Sequence, residues 1–283
     1  MIDRCTIAVL AALLLPIAGA RAFDDAQYPD FKGQWHRARA PGVAGQPSFD
    51  PTKPWARGQE APLTPEYQAI FEASLADQAN GGYGLSRGWS CRTSGLPLMM
   101  TLFEPMEIVV LPDTTYMLID LHNTQRRIFT DGRDFPAEIE PSFIGYSIGR
   151  WIDEDGDGRF DVLEAETRGF KSPRVFDASG LPLHEDGESV IKERFYLDKA
   201  NPNLLHDQIT VIDHALTRPW TATKTYERDP RPRPVWLEFI CAEANTHVEI
   251  GKENYYLSAD GLLMPAKKGQ APPDLRYFKQ SRK

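Results

Sequence analysis

The chain has 283 residues, of which 41% are hydrophobic and 25% charged, and its formal net charge is −8. An acidic chain without clusters of Lys and Arg is a poor candidate for binding nucleic acid or anionic membrane surfaces. The length suits one large β domain or two small ones, and it is sufficient to bury a hydrophobic core.

The first residues have the pattern of an export signal. Arg4 gives a positive start, residues 7–20 are apolar, and Ala20-Arg21-Ala22 fits the small-residue cleavage rule. The apolar run is too short to span a bilayer comfortably, so we expect a cleavable signal peptide over 1–22, cut after Ala22, and no membrane span. We expect residues 23–283 to form a single periplasmic or secreted domain, and the sequence leaves its oligomeric state open.

Two cysteines, Cys91 and Cys241, follow the predicted signal peptide. In an oxidising compartment such a pair commonly forms a disulfide bond. That bond would tie the segment before the first predicted strands to one of the last strands. The alternative is two separate buried thiols, because cysteine also behaves as a small hydrophobic residue.

The two ends of the expected mature chain lack periodicity. Residues 23–62 are rich in Pro, Gly, Arg and Trp, so we expect an irregular segment anchored by Trp35 and Trp55. The tail after Asp260 is rich in Pro, Lys and Gln, and we expect it to lie along the surface.

A helix is predicted directly after Thr64. Thr64 is a good N-cap, Pro65 suits the first helical position, and Asn80-Gly81-Gly82 ends the pattern. The apolar stripe of this helix consists of Tyr67, Ile70, Phe71, Ser74 and Leu75.

From residue 105 onward, alternation of polar and apolar side chains predicts β-strands separated by turn residues such as Pro112-Asp113 and Asp131-Gly132. The predicted strands are 107–111, 115–123, 125–130, 145–152, 161–168, 189–197, 203–213, 221–227 and 235–242. About nine strands with few helices between them predict a mainly β fold, an antiparallel barrel or sandwich with one N-terminal helix.

The most specific motif is 153–164, Asp-Glu-Asp-Gly-Asp-Gly-Arg-Phe-Asp-Val-Leu-Glu, which matches a calcium-binding loop. Gly158 stands at the sharp turn, and Phe160 is the apolar residue that pins such a loop to the protein. The predicted Ca²⁺ ligands are the backbone carbonyl of Arg159 and the carboxylates of Asp153, Asp155, Asp157, Asp161 and Glu164. The alternative is a solvated acidic turn, although acids at this density repel one another without a cation.

Strand-like alternation flanks this loop on both sides, in 146–152 and 162–167. A true EF-hand has helices there. We therefore expect a long hairpin connection clamped by Ca²⁺, which favours a structural site over a sensor, because a sensor needs a helix pair that opens.

Two sets of motifs resemble known families. Gly33-Gln34-Trp35 resembles the Gly-x-Trp entry of lipocalin-like barrels. A longer succession is similar to a group of exported bacterial proteins: Cys-Arg-Thr-Ser-Gly-Leu-Pro at 91–97, Gly-Tyr-Ser-Ile-Gly-Arg-Trp at 145–151, Glu-Thr-Arg-Gly-Phe at 166–170, Glu-Arg-Phe at 193–195, Ile-Thr-Val-Ile-Asp at 209–213 and Thr-Arg-Pro-Trp at 217–220. The resemblance implies an exported, lipocalin-like barrel and carries over no catalytic residue. Many such relatives have a short turn where this chain has the acidic loop.

Two further patterns carry little functional weight. Gly145-Tyr-Ser147-Ile-Gly149 matches the nucleophile elbow of hydrolases, but no helix is predicted after it, so we expect the glycines to serve close packing in a strand. The six histidines show no zinc-like spacing, and a transition-metal site is not predicted.

Three predicted strands place an acid where the alternation calls for an apolar residue. The faces are Ile191, Glu193, Phe195 and Leu197; Tyr116, Leu118, Asp120 and His122; and Ile209, Val211 and Asp213. A buried carboxylate is costly unless it is paired or lines a wet cavity. Glu193, Asp120, His122 and Asp213 are therefore candidates for an acid–base pocket.

The alternative is structural: Asp120 and Asp213 cap turns near strand ends, and Glu193 pairs with Arg126, Arg127 or Arg194.

The sequence leaves three functions open. The first is an exported calcium-binding barrel that binds a small, largely apolar or aromatic ligand, in keeping with 6 Trp, 10 Tyr and 14 Phe. The second is a periplasmic lyase, isomerase or hydrolase that uses Glu193 with Asp120 or His122. The third is a structural envelope protein with calcium as its only ligand.

Overall fold

The computed structural model describes residues 24–38, 57–58, 60–85, 93–101, 104–237, 247–250, 253–258 and 260–273. The predicted signal peptide, Trp55 and the predicted Cys91–Cys241 disulfide lie outside these residues. Within the described ranges, no helix is both long and apolar enough to cross a bilayer.

Nine strands close into a barrel in chain order, and β9 completes the circle by pairing with β1. The strands are β1 Gln34–Arg37, β2 Met106–Val110, β3 Thr114–Ile119, β4 Thr124–Phe129, β5 Tyr146–Ile152, β6 Val162–Arg168, β7 Val190–Leu197, β8 Leu204–Ile212 and β9 Trp220–Arg228. Neighbours are antiparallel except β4 and β5, which pair in parallel through Ile128 and Ser147. The predicted mainly β barrel is confirmed, with this one parallel pair as the departure from an all-antiparallel wall.

The ninth strand of the barrel is not the one that the sequence predicted. Eight predicted segments correspond to β2–β9, whereas β1 lies in the N-terminal segment that we expected to be irregular. Four residues are too few to show a period, yet Trp35 in β1 is fully buried. Of the predicted strand 235–242, residues 235–237 are not in a strand and the others lie outside the described residues.

The predicted helix is confirmed as α1, Pro65–Ala79. The Oγ1 atom of Thr64 accepts a hydrogen bond from the backbone N–H of Tyr67 at 3.4 Å, and Phe71 and Ser74 face the core. A separate three-stranded sheet, β10 His247–Ile250, β11 Glu253–Leu257 and β12 Leu263–Pro265, follows the barrel. It was not predicted, and Lys267 beside it forms a salt bridge of 2.7 Å with Asp77 near the end of α1.

The interior face of β3 is the opposite of the predicted one. Met117 and Ile119 are buried, and Tyr116 and Leu118 are partly exposed. Because side chains alternate along a strand, a shift of one residue moves a whole set to the other face. Both faces of this strand carry large apolar side chains, so alternation alone does not distinguish them.

Candidate functional site

The acidic loop is the tip of the β5–β6 hairpin. Strands flank it on both sides, which confirms the predicted hairpin connection. Phe160 ties the loop to the N-terminal segment: its backbone N–H donates to the carbonyl of Gln27 at 2.8 Å, and its ring lies 5.3 Å from the ring of Tyr28 between centroids. The loop is therefore held against the N-terminal segment by backbone and aromatic contacts.

Three of the predicted calcium ligands lie together. Carboxylate oxygens of Asp153, Asp155 and Asp161 are within 4.8 Å of one another. The two oxygens of Asp153 accept backbone N–H groups of Gly156 at 2.7 Å and Gly158 at 2.9 Å, which bends the loop around this carboxylate. A carboxylate oxygen that accepts one hydrogen bond keeps a second lone pair for a cation.

The other predicted ligands have different surroundings. Glu164, the last position of the motif, lies in β6 and its carboxylate forms a salt bridge of 2.7 Å with Arg150. Asp157 accepts the backbone N–H of Arg159 at 2.8 Å, and both residues are exposed. The three clustered acids fit a hard cation, while Glu164 would have to leave Arg150 to join them.

Glu193 points into the barrel, as predicted, but it is paired. Its two carboxylate oxygens accept hydrogen bonds from Nη1 and Nη2 of Arg126 at 2.9 and 2.5 Å, and neither side chain is exposed. Ser147 and Thr167 accept further hydrogen bonds from the same guanidinium at 3.2 and 3.0 Å. Of the three arginines considered as structural partners of Glu193, the structure thus selects Arg126. This pairing leaves the side chain of Glu193 no exposed surface for a substrate. Ser147 is a buried strand residue and not a nucleophile elbow.

The other predicted catalytic residues lie in two other environments. Asp120 and His122 follow β3, where His122 adopts a φ of 57° in a short 3-10 turn. Burial raises the pKa of Asp120, with the charge of Glu104 adding to the effect, and burial lowers the pKa of His122. Asp213 caps the turn after β8: one of its oxygens accepts the backbone N–H groups of His184 at 2.9 Å and Ala215 at 2.8 Å.

Asp207 and Lys224 were missed by sequence reasoning. They face each other across β8 and β9, and both are almost completely buried. Neither carboxylate oxygen of Asp207 has a hydrogen-bond partner in the described part of the chain. Burial, followed by the nearby charge of Glu193, raises the pKa of Asp207 well above its ordinary value. The sequence does contain the pattern that predicts a buried Asp207, because this residue falls on the same alternating face as Ile209 and Val211.

The pKa of Lys224 moves in the opposite direction from that of Asp207. Burial, followed by repulsion from Arg37, lowers the pKa of Lys224 to about 7. The ammonium nitrogen lies 5.3 Å from the centroid of the Phe176 ring. The barrel interior therefore contains two further buried ionisable groups, Asp207 and Lys224, besides the hydrogen-bonded Arg126–Glu193 pair.

A small cavity of about 220 Å³ lies between α1 and residues 173–185. Its walls are mainly apolar and include Ile70, Leu98, Phe143, Val175 and Leu183. Arg174 also lines the cavity and is 5% exposed. An apolar wall with one buried guanidinium is the composition typical of a site for a small ligand.

The guanidinium of Arg174 is held in place from three sides. Its Nη1 donates to the carbonyl of Leu96 at 3.1 Å, its Nη2 donates to Oγ of Ser189 at 2.5 Å, and its carbon centre lies 4.0 Å from the centroid of the Phe170 ring. Ser189 in turn donates to Asp213 at 2.5 Å. The buried Nε has no partner among the described residues, and burial lowers the pKa of Arg174 to about 10.

No family model matches the sequence, and a search among curated proteins returned no match. The resemblance to exported bacterial proteins and to lipocalin-like barrels therefore remains a prediction about ancestry. Gly33-Gln34-Trp35 does lie at the entry to the barrel, where Gly33 has a φ of +92° and Trp35 begins the pairing with β9. The guanidinium of Arg228 lies 4.4 Å from the centroid of the Trp35 ring.

Proposed function

We propose that this protein is an exported calcium-binding β-barrel protein that binds a small, largely apolar ligand carrying a negative charge. The observation that carries the ligand proposal is the cavity beside α1, in which Arg174 is the buried cation. Export rests on the N-terminal sequence pattern, and calcium binding rests on the twelve-residue motif together with the clustering of Asp153, Asp155 and Asp161.

Among the described residues, Arg174 has no acid as a direct hydrogen-bond partner. Asp213 is reached only through Ser189, and Glu185 lines the cavity without a hydrogen bond to Arg174. A buried cation without a direct counter-ion is unfavourable, and a carboxylate that accepts a hydrogen bond from a guanidinium offsets that cost. The guanidinium of Arg174, which lines the cavity, would supply the hydrogen-bond donors for that carboxylate.

The size of the cavity limits the ligand. A volume of about 220 Å³ lies below the usual range for drug-sized ligands, so a single aromatic ring or a short aliphatic chain suits it. The apolar walls would bury the body of that ligand, and its acid group would meet Arg174.

Calcium has a structural role in this proposal. The ion would gather the acidic loop at the tip of the β5–β6 hairpin, and the contacts of Phe160 would transmit that order to the N-terminal segment. Such a site stabilises the folded state by mass action whenever the ion is abundant.

The test compares phenylacetate with the neutral alcohol 2-phenylethanol, which has the same ring and chain length. Binding to the mature protein is measured by isothermal titration calorimetry, and we expect phenylacetate to bind more tightly. The variant Val175→Phe should fill the cavity and abolish binding. Val235→Phe is the matched control, since Val235 is 55% exposed and lies away from the cavity.

Equal binding of both probes, or binding that survives Val175→Phe, would contradict the ligand proposal. Native mass spectra of protein exported into a periplasm, recorded before and after chelation, provide a second readout. Calcium together with an organic acid supports the proposal. Calcium with no organic adduct, combined with no binding of phenylacetate, supports a structural envelope protein instead.

A further inference from the structure

Two histidines and an aspartate meet at the end of the barrel where β7 begins and β8 ends. His184 and Asp186 precede β7, and His214 follows β8. Their potential ligand atoms all lie within 4.8 Å of one another. One carboxylate oxygen of Asp186, Oδ2, lies 2.9 Å from Nδ1 of His184 and 2.6 Å from Nδ1 of His214. We refer to His184, Asp186 and His214 as the histidine cluster.

The surroundings of the histidine cluster fix its orientation. The backbone N–H of His184 donates to Asp213 at 2.9 Å, and the backbone N–H of Glu188 donates to the other carboxylate oxygen of Asp186 at 2.9 Å. The ring of His184 lies against the ring of Tyr67, with 5.4 Å between centroids. These contacts hold one oxygen of Asp186 close to both imidazoles.

The polar atoms of the cluster already lie at hydrogen-bond distance from one another. Nδ1 of His184 lies 3.2 Å from the backbone nitrogen of Asp186 and 2.9 Å from the carboxylate oxygen Oδ2 of Asp186. A divalent cation that replaces the ring protons would be held by the same imidazoles and carboxylate.

We propose that the histidine cluster binds a divalent transition-metal ion of the Zn²⁺ class. Two imidazoles and one carboxylate form a ligand set that suits Zn²⁺ and its neighbours, whereas Ca²⁺ and Mg²⁺ prefer oxygen ligands alone. Bonds of ~2.0–2.2 Å around a tetrahedral ion hold neighbouring ligand atoms ~3.3 Å apart. Binding therefore requires Asp186 and the imidazoles to separate by about half an ångström, which partly exposed side chains accommodate.

The ion would keep open coordination positions. The side chain of His214 is 65% exposed and that of His184 is 34% exposed, so solvent reaches the cluster. Three protein ligands with an open fourth position are typical of catalytic zinc sites, in which the ion activates a bound water. The carboxylate of Glu188 lies 4.0 Å from Nδ1 of His214 and could supply an additional oxygen ligand.

The histidine cluster and the acidic loop are independent sites. The acidic loop lies beyond Ile152 and Val162, on the side where β7 ends, while the histidine cluster lies where β7 begins. Zinc binding can therefore be measured with the acidic loop saturated by calcium, and the inference does not depend on the proposed ligand.

The experiment is isothermal titration of Zn²⁺ into the untagged mature protein in excess Ca²⁺. We expect one equivalent of Zn²⁺ to bind at micromolar concentration and His214→Ala to weaken that binding at least tenfold. Because His214 is exposed, this variant should retain the fold, which circular dichroism verifies. His36→Ala is the matched control, since His36 also contacts a carboxylate, that of Asp229 at 2.9 Å, but is not part of the cluster.

Substitution of Co²⁺ gives a readout beyond affinity. Tetrahedral Co²⁺ has much stronger visible d–d bands than hydrated, octahedral Co²⁺. These strong bands should be present in wild type and in His36→Ala and lost in His214→Ala and in Asp186→Asn. The same zinc affinity in His214→Ala as in wild type, or no binding of micromolar Zn²⁺ by wild type, would overturn the inference.

Discussion

Arg126 and Glu193 form a two-pronged ion pair across the interior of the barrel, with neither side chain exposed to solvent. Arg126 comes from β4 and Glu193 from β7, so the pair bridges strands that are not neighbours in the wall. The remaining guanidinium contacts, to Ser147 and Thr167, keep its other donors satisfied. The pair therefore links β4 to β7 across the interior of the barrel.

Replacing Glu193 with Gln should destabilise the protein by about 3–5 kcal/mol, because it leaves the buried charge of Arg126 without a counter-ion. Urea unfolding at neutral pH measures the change. The control is Glu166→Gln on the outer face of β6, where the partner Lys192 is 54% exposed and the expected cost is below ~1 kcal/mol. If both substitutions lower the free energy of unfolding by the same amount, the buried pair contributes no more to stability than an exposed one.

Lys224 should make the free energy of unfolding rise with pH. Burial lowers its pKa from 10.5 to about 7, so between these values the unfolded chain binds a proton that the folded protein does not. Stability contributed by the neutral amine is therefore present at high pH and is lost as the pH falls toward about 7. Lys224→Met should remove this part of the pH dependence in urea unfolding. Lys192→Met on the outer face should retain it, and an unchanged slope in Lys224→Met would argue against a buried, perturbed lysine.

Asp207 should make the free energy of unfolding fall with rising pH, the opposite of the effect of Lys224. Its pKa is raised in the folded protein, so its contribution favours folding below about 3.8, the value of an ordinary Asp, and is lost as the pH rises. Asp207→Asn, which resembles the protonated acid, should stabilise the protein at neutral pH, and the gain should disappear near pH 4. Thermal unfolding across this range measures the difference.

Asp198→Asn provides the contrast for Asp207→Asn. The pKa of Asp198 is lowered, chiefly by a hydrogen bond from the backbone of Asn201, so this substitution should destabilise the protein at neutral pH. Destabilisation by both substitutions would mean that the carboxylate of Asp207 is favourable in the barrel.

The acidic loop should make thermal stability depend on calcium. We expect ~1 mM Ca²⁺ to raise the melting temperature and a chelator to reverse the effect, as is usual for exported calcium modules. Asp155→Asn should remove most of the response, because it reduces the negative charge of the cluster while leaving the backbone hydrogen bonds to Asp153 in place. Asp131→Asn, at an exposed turn where Asp131 pairs with Arg133, is the control. If the melting temperature of the wild-type protein does not change with calcium, the proposal that Ca²⁺ is bound is wrong.

The local elements of this protein are determined by its sequence. Thr64 and Pro65 start α1 because capping acts within one turn of the chain, and alternation identifies β2–β9 because side chains alternate in any strand. The calcium motif is visible for the same reason, since its proposed ligands lie within twelve consecutive residues. The inward direction of Glu193 followed from its apolar neighbours on the strand.

Only the tertiary structure decided how distant residues combine. Closure of the barrel through β1, the parallel pairing of β4 and β5, and the choice of Arg126 as the partner of Glu193 depend on contacts between residues far apart in the chain. The meeting of His184 and Asp186 with His214 likewise requires the β7–β8 pairing and has no regular spacing in the sequence. Such contacts depend on the packing free energy of the whole barrel. They cannot be predicted from any single segment of the sequence, because all strands contribute to that free energy.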